Sequence, residues 1–154
     1  MIKHLIYLLI LFNSSVTLPQ TKFNSYIFGS IEARQIGPAV MSGRITAIDA
    51  VNKEPNIIYV GSASGGVWKS NSGGTLFKPV FDKYCQSIGA IAIDQNNPEM
   101  VYVGTGESNM RNSVSVGNGI YKSSDAGATW NFIGLEKSEH ISKIIINPKN
   151  SEVI

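Results

Sequence analysis

The residues best placed to do chemistry gather in one loop. Between Gly104 and Gly119 the chain reads TGESNMRNSVSVGN, where Glu107, Asn109, Arg111 and Asn112 supply a carboxylate, a guanidinium and two amides. Such a set donates and accepts hydrogen bonds to a polar ligand, as functional loops on a rigid scaffold do. The spacing allows a second reading, in which Glu107 and Arg111, four apart in a tight loop, pair with one another. Arg44, next to Gly43, is read as a salt bridge between repeats ahead of a ligand contact, and His140 as a hydrogen-bonded turn residue ahead of a catalytic base. Cys85 is the single cysteine, which leaves no intramolecular disulfide, and no Cys/His spacing suits a metal. No metal and no cofactor are expected.

These side chains must be carried by a repeat. Residues 45–61 read ITAIDAVNKEPNIIYVG and residues 88–104 read IGAIAIDQNNPEMVYVG, 43 positions later. A third copy begins at Ile141 as ISKIIINPKNSEVI, 53 positions beyond the second. Each copy predicts a strand of alternating or continuous apolar residues, then a turn with Asn and Pro. A second strand rich in Tyr, Val and Ile follows and closes on glycine. A third strand follows as GVWKS (residues 66–70) or GIYKS (residues 119–123), so the ten extra residues of the second copy lie in the loop of Glu107. Turns then lead to fourth strands over 76–81 and 130–134. Four strands in about 43 residues is the size of one propeller blade. The coils of a β-helix are shorter, and a sandwich would not repeat its turn chemistry at a fixed offset. The expected fold class is all-β, a partial β-propeller of four-stranded antiparallel blades numbering about two and a third. Its divisions are a signal peptide (1–20), a lead-in (21–42), blade 1 (43–86), blade 2 (87–139) and the start of blade 3 (140–154). Trp68 and Tyr121 hold equivalent strand positions and are read as packing between blades.

The turn between third and fourth strands in the second copy is SSDAGATW, which satisfies S-x-D-x-G-x-T-W at Ser123, Asp125, Gly127, Thr129 and Trp130. This is an Asp-box. The carboxylate of Asp125 is expected to accept backbone N–H groups, Gly127 to take a conformation closed to other residues, and Trp130 to pack beneath. Asp125 is therefore read as structural rather than catalytic. The first copy keeps Ser70, Gly74 and an aromatic at Phe77, but has Ser72 for the aspartate and Leu76 for the threonine. This degenerate box predicts the less rigid hairpin.

On these residues the chain resembles the BNR/Asp-box propellers, most closely their sortilin N-terminal-like branch of bacterial secreted proteins, also labelled glycosyl-hydrolase-like. The likeness also rests on IGPA (36–39), SGRI (42–45), IYVG (58–61), GGVWKS (65–70) and VYVGTGE (101–107). Relatives with this fold include sialidases, xyloglucan-degrading endoglucanases, a photosystem assembly factor and sortilin-type receptors, so the fold leaves function open. Sialidase activity would imply an arginine triad, but the chain has only Arg34, Arg44 and Arg111, without that spacing. The xyloglucanase-like relatives carry an acidic residue before the Gly-Gly pair, where this chain reads Ser62-Ala63-Ser64 before Gly65.

The bulk properties fit that picture. With 43% hydrophobic and 16% charged residues the chain is globular in composition. A formal charge of +2 is spread without any basic run that would mark a nucleic-acid partner, and none is expected. Lys3 and His4 precede an eight-residue apolar run from Leu5 to Phe12, too short to span a bilayer and suited to a signal peptide. The mature protein is expected to be secreted or periplasmic and not held in a membrane. The expected function is a binding module for a protein, peptide or glycan. The alternatives are a glycoside hydrolase of the same propeller type and a truncated product without function.

Overall fold

The computed structural model describes residues 44–109 and 111–154. They belong to one compact unit. The expected signal peptide (1–20) and the expected lead-in (21–42) lie outside the described residues. The fold is all-β. One antiparallel sheet runs β1 (Ile45–Val51), β2 (Glu54–Ser62), β3 (Gly66–Ser70) and β4 (Lys78–Pro79) in chain order. The second repeats it with β5 (Ile88–Ile93), β6 (Val101–Thr105), β7 (Ile120–Ser123) and β8 (Asn131–Gly134).

The two sheets share one register. Ala47 faces Gly61 and Ile48 faces Val60 in the first, and Ala90 faces Gly104 and Ile91 faces Val103 in the second. Both first pairings slip by one residue at the same place, between Ile45 and Ala47 and between Ile88 and Ala90. Tyr59 pairs with Lys69 in β2–β3, and Tyr102 pairs with Lys122 in β6–β7. The ten-residue insertion therefore falls wholly in the bend between β6 and β7, and the strands around it stay in step.

The core lies between the sheets. All six residues of β5 are buried, whereas Ile45 and Ile48 of β1 are 54% and 62% exposed. The difference is one of position: β5 has neighbours on both faces. Gly61 lets Ile88 seat directly against β2, since a Cβ there would lie 2.6 Å from Ile88 Cγ2. Ile141 sits in the same way against Gly104 and donates its N–H to Thr105 O at 3.1 Å. Polar ties cross between the sheets as well. Asp49 Oδ2 accepts the Ile93 N–H at 2.8 Å, Thr46 Oγ1 donates to Ile88 O at 2.7 Å, and Gln95 bonds Ala50 O and Asn52 N. Phe81, Tyr84, Tyr121 and Trp130 form an aromatic cluster across the same boundary, with Phe81 edge-on to Tyr121 and Trp130 at 5.2 Å each. Tyr121 thus packs between blades as expected. The half-buried Trp68 donates its indole N–H to Gly65 O at 2.7 Å.

The expected first strand of the third copy is not paired into a sheet over 141–146. A strand needs a partner edge, and the described residues offer none beyond it. The turn after it is nonetheless formed: Asn147, Asn150 and Val153 repeat the backbone hydrogen bonds of Asp94, Asn97 and Met100 bond for bond. The fourth strands also start later than the sequence suggests, at Lys78 and Asn131, after turns in which Leu76 and Thr129 bond locally.

The complete Asp-box shows how. Asp125 Oδ1 accepts the Thr129 N–H and the Ser123 hydroxyl, each at 2.8 Å, and Oδ2 accepts the Thr129 hydroxyl at 2.5 Å. Ser123 Oγ accepts the Gly127 N–H at 2.8 Å, and Gly127 sits at φ +88°. These bonds, led by the Thr129 hydroxyl, then the Thr129 N–H and the Ser123 hydroxyl, lower the Asp125 carboxyl from 3.8 to about 2. In blade 1, Ser72 Oγ replaces the carboxylate and accepts one turn amide, Leu76 N at 2.9 Å, and β4 is two residues long where β8 is four. The pair Ser72→Asp and Leu76→Thr is expected to slow hydrogen exchange at residue 76 and raise the melting temperature. A carboxyl held like that of Asp125 lies below its ordinary value in the folded state, so the gain is full at neutral pH and is lost as pH falls below the ordinary carboxylate range. Melting curves across that range check it.

Candidate functional site

Glu107 follows β6 by two residues and is held by its own backbone. Its N–H reaches Ser87 Oγ at 3.1 Å and Ser115 O at 3.3 Å, and the preceding Gly106 N–H reaches Ser87 O at 2.7 Å. Gly106 adopts φ +86° with its Cα against the Glu139 carbonyl, a close approach only glycine permits. Thr105 closes the far side of the loop: its hydroxyl donates to Gly119 O at 2.7 Å and accepts the Asn118 N–H at 2.8 Å. The insertion therefore springs from a fixed base, and its Asn109, Arg111 and Asn112 project into solvent.

The Glu107 side chain has no exposed surface. A buried carboxylate needs a partner charge. It has two: Arg44 Nη2 contacts Oε1, and Arg111 Nε lies 3.6 Å from Oε2. Both expectations for these residues meet in one cluster, since Arg44 bridges blade 1 to blade 2 and Arg111 pairs within the loop. The Arg44 and Arg111 side chains are 38% and 47% exposed as wholes, with Arg44 Nε and Nη2 themselves buried against Glu107. So placed, Glu107 is an ion-pair partner that fixes the positions of two guanidiniums.

A cavity of about 390 Å3 opens over this cluster, lined by Glu107, Ser108, Asn109, Arg111, Val114, His140 and Ser142. The structure brings together Glu107, Arg111, Asn109 and, through its ion pair, Arg44. Asn112 is exposed and does not line the cavity. His140, at 4.0 Å from the Glu139 carboxylate, and Ser142 join the lining because Ile141 anchors their segment on Gly104. Nothing in the sequence around Ser142 marks it, and the signal for His140 is its place beside the third repeat. Among the described residues no three His, Cys, Asp or Glu side chains gather as metal ligands would. Asp125 lies in the Asp-box turn, with its partners all in residues 123–129, and does not line this cavity. Cys85 is half-buried, its Sγ 3.8 Å from the carbonyls of Ser87 and Val116.

Comparison with known proteins follows the geometry. No family model matches the chain, and no curated protein matches it. Among solved structures it is similar to a GH74 enzyme from Niastella koreensis, at 20% identity and a TM-score of 0.55 over 68% of this chain. It is similar too to an ancestral GH74 enzyme, at 19% identity and a TM-score of 0.58 over 76% of this chain. The chain spans 16% of the length of each. At such identity the likeness concerns fold: these two sheets are arranged as blades of a propeller enzyme are.

Proposed function

We propose that this chain is a sector of an exported, carbohydrate-active β-propeller of the glycoside-hydrolase type, and that the cavity over Glu107 receives a glycan. The observation that carries this reading is the buried Glu107 clamped between Arg44 and Arg111 beneath a rim of Ser108, Asn109, His140 and Ser142. Such a rim offers directed donors and acceptors suited to sugar hydroxyls. The shared fold with GH74 enzymes supports the class. Glycoside hydrolysis ordinarily uses two carboxyl groups about 5–9.5 Å apart. Among the described residues Glu107 is the one acid lining the cavity, and its arginine partners suit it to positioning. Residues 44–154 would accordingly contribute substrate binding, with the acid pair supplied from elsewhere in the ring.

The arginine-paired state of Glu107 also favours a second reading, a non-catalytic module of the sortilin-like branch. One experiment separates them. Purified protein is titrated with β-glucan oligosaccharides by calorimetry and assayed for new reducing ends. Binding that weakens about tenfold in Arg111→Ala, the worth of a hydrogen bond to a charged group, supports the cavity as the glycan site. Release of reducing ends selects the hydrolase, and binding without release selects the module. No binding to any oligosaccharide rejects the glycan assignment.

A further inference from the structure

The insertion loop closes on Asn118 and Gly119, the one Asn-Gly step in the chain. The fold requires that glycine. Gly119 is buried at φ +106°, and a Cβ there would collide with the Gly134 carbonyl and crowd Leu135. Its carbonyl accepts the Thr105 hydroxyl at 2.7 Å and the Thr105 N–H at 3.0 Å, which fixes the entry to β7. Its own N–H has no acceptor among the described residues, and Thr105 O, which would complete the pair, accepts the Ile141 N–H instead. Asn118 is exposed. Its Nδ2 donates to Tyr121 OH at 2.9 Å, and its Oδ1 lies 3.3 Å from the Thr105 hydroxyl, whose shorter bond goes to Gly119 O.

A backbone nitrogen that follows asparagine can attack the side-chain carbonyl, and glycine obstructs this least, having no Cβ. An unbonded N–H also gives up its proton more readily than one held in a ladder. The exposed carboxamide lets departing ammonia and incoming water exchange with solvent. Its bond to Tyr121 is what holds it back. The other exposed asparagines of the loops differ at this point: Asn71, Asn112 and Asn150 each precede a serine, whose side chain crowds the attacking nitrogen.

We propose that Asn118 is a site of spontaneous covalent modification that loosens the loop of Glu107. The Gly119 nitrogen, giving up its proton, attacks Asn118 Cγ. A new N–C bond forms as the Cγ–Nδ2 bond breaks, and Nδ2 leaves as ammonia with that proton. Water then opens the cyclic imide at either carbonyl, leaving aspartate or isoaspartate in place of Asn118. Either product loses the donor to Tyr121 and sets a carboxylate at the end of the loop. Isoaspartate goes further, because the backbone then runs through its side chain and is longer by one carbon. Thr105 can no longer hold the N–H of that residue and the Gly119 carbonyl together, as it does now at 2.8 and 2.7 Å. The Ser87 ties to Gly106 and Glu107 stand on the other side of the loop and are kept. The inference does not depend on the glycan assignment.

The full chain is incubated at mildly alkaline pH, digested and followed by mass spectrometry, with isoaspartate counted by enzymatic methylation. Asn118 is expected to convert several-fold ahead of Asn71, Asn112 and Asn150, with isoaspartate among the products and a rate that rises with pH as the Gly119 amide loses its proton. Tyr121→Phe frees the carboxamide and should speed Asn118 about fivefold, the worth of one hydrogen bond. Asn112 should keep its rate in that variant, which separates release of Asn118 from general loosening of the fold. In converted protein, amide exchange should rise across residues 111–118 and stay unchanged at Glu107. Asn118→Ser, which has no carboxamide to cyclise, should show no such rise on incubation. The proposal is wrong if Asn118 converts no faster than Asn112, or if aspartate forms without isoaspartate.

Discussion

Gly61→Ala is expected to destabilise the chain by about 3 kcal/mol, at the upper end of what over-packing costs. The added methyl would lie 2.6 Å from Ile88 Cγ2, 3.1 Å from Ile91 Cδ1 and 3.2 Å from Ile88 Cβ. None of these can swing aside, because Ile88 is fully buried on β5 and its carbonyl is tied to Thr46. The strain must instead part β2 from β5, where the two blades meet. Gly61 has no positive φ, so the effect is one of packing and not of backbone conformation. A double-mutant cycle separates it from a general loss of core. Ile88→Ala alone is expected to cost about 2–5 kcal/mol through its cavity. Combined with Gly61→Ala, the loss should fall short of the sum, because the intruding methyl fills part of the space that Ile88 vacates. Urea unfolding with an unchanged m-value measures each step. Strict additivity would show that Gly61 and Ile88 do not meet.

That seat shows what the sequence discloses and what it conceals. The 43-residue offset discloses the two sheets, their strand order and their shared register, because side chains alternate with a fixed period of two and any slip would turn Val60 or Val103 out of the core. The S-x-D-x-G-x-T-W pattern discloses the hydrogen bonds of Asp125, since all of them are local. Ser72 was readable as a weaker acceptor for the same reason. The contacts between blades are hidden, because they join residues whose separation follows no motif: Tyr59 and Lys69 with Ala126, Trp130 with Val80. The cavity is legible in part. Glu107 and Arg111 declare themselves as charges four apart in an insertion, and Arg44 as a lone charge at a strand entrance. Their convergence on one carboxylate depends on the angle between two sheets, which no local pattern encodes. His140 and Ser142 enter for a similar reason, through the anchoring of Ile141 on Gly104. Asn112 has the right chemistry but lies outside the lining.

The same convergence makes Glu107 the most sensitive polar position in the described residues. Glu107→Gln keeps the side-chain volume and removes the charge, leaving two guanidiniums facing an amide that can donate as well as accept. Breaking a buried ion pair from one side costs about 3–5 kcal/mol in general. Here Arg111 is 47% exposed and can recover water while Arg44 Nε and Nη2 stay buried, so the expected loss lies at the lower end, about 3 kcal/mol. It should persist in high salt, since ions screen a carboxylate without exposed surface only weakly. Replacing the pair together, by Arg44→Met and Glu107→Leu, removes the desolvation cost along with the attraction and should restore most of the stability. The two changes have opposite consequences for the cavity. The double variant should fold with loop residues 108–116 less ordered, because Arg111 has lost its anchor while Thr105 and Gly106 keep theirs. Chemical denaturation reports the first effect and amide exchange in the loop the second. If Glu107→Gln proves as stable as the original chain, the carboxylate is not what joins the loop to blade 1.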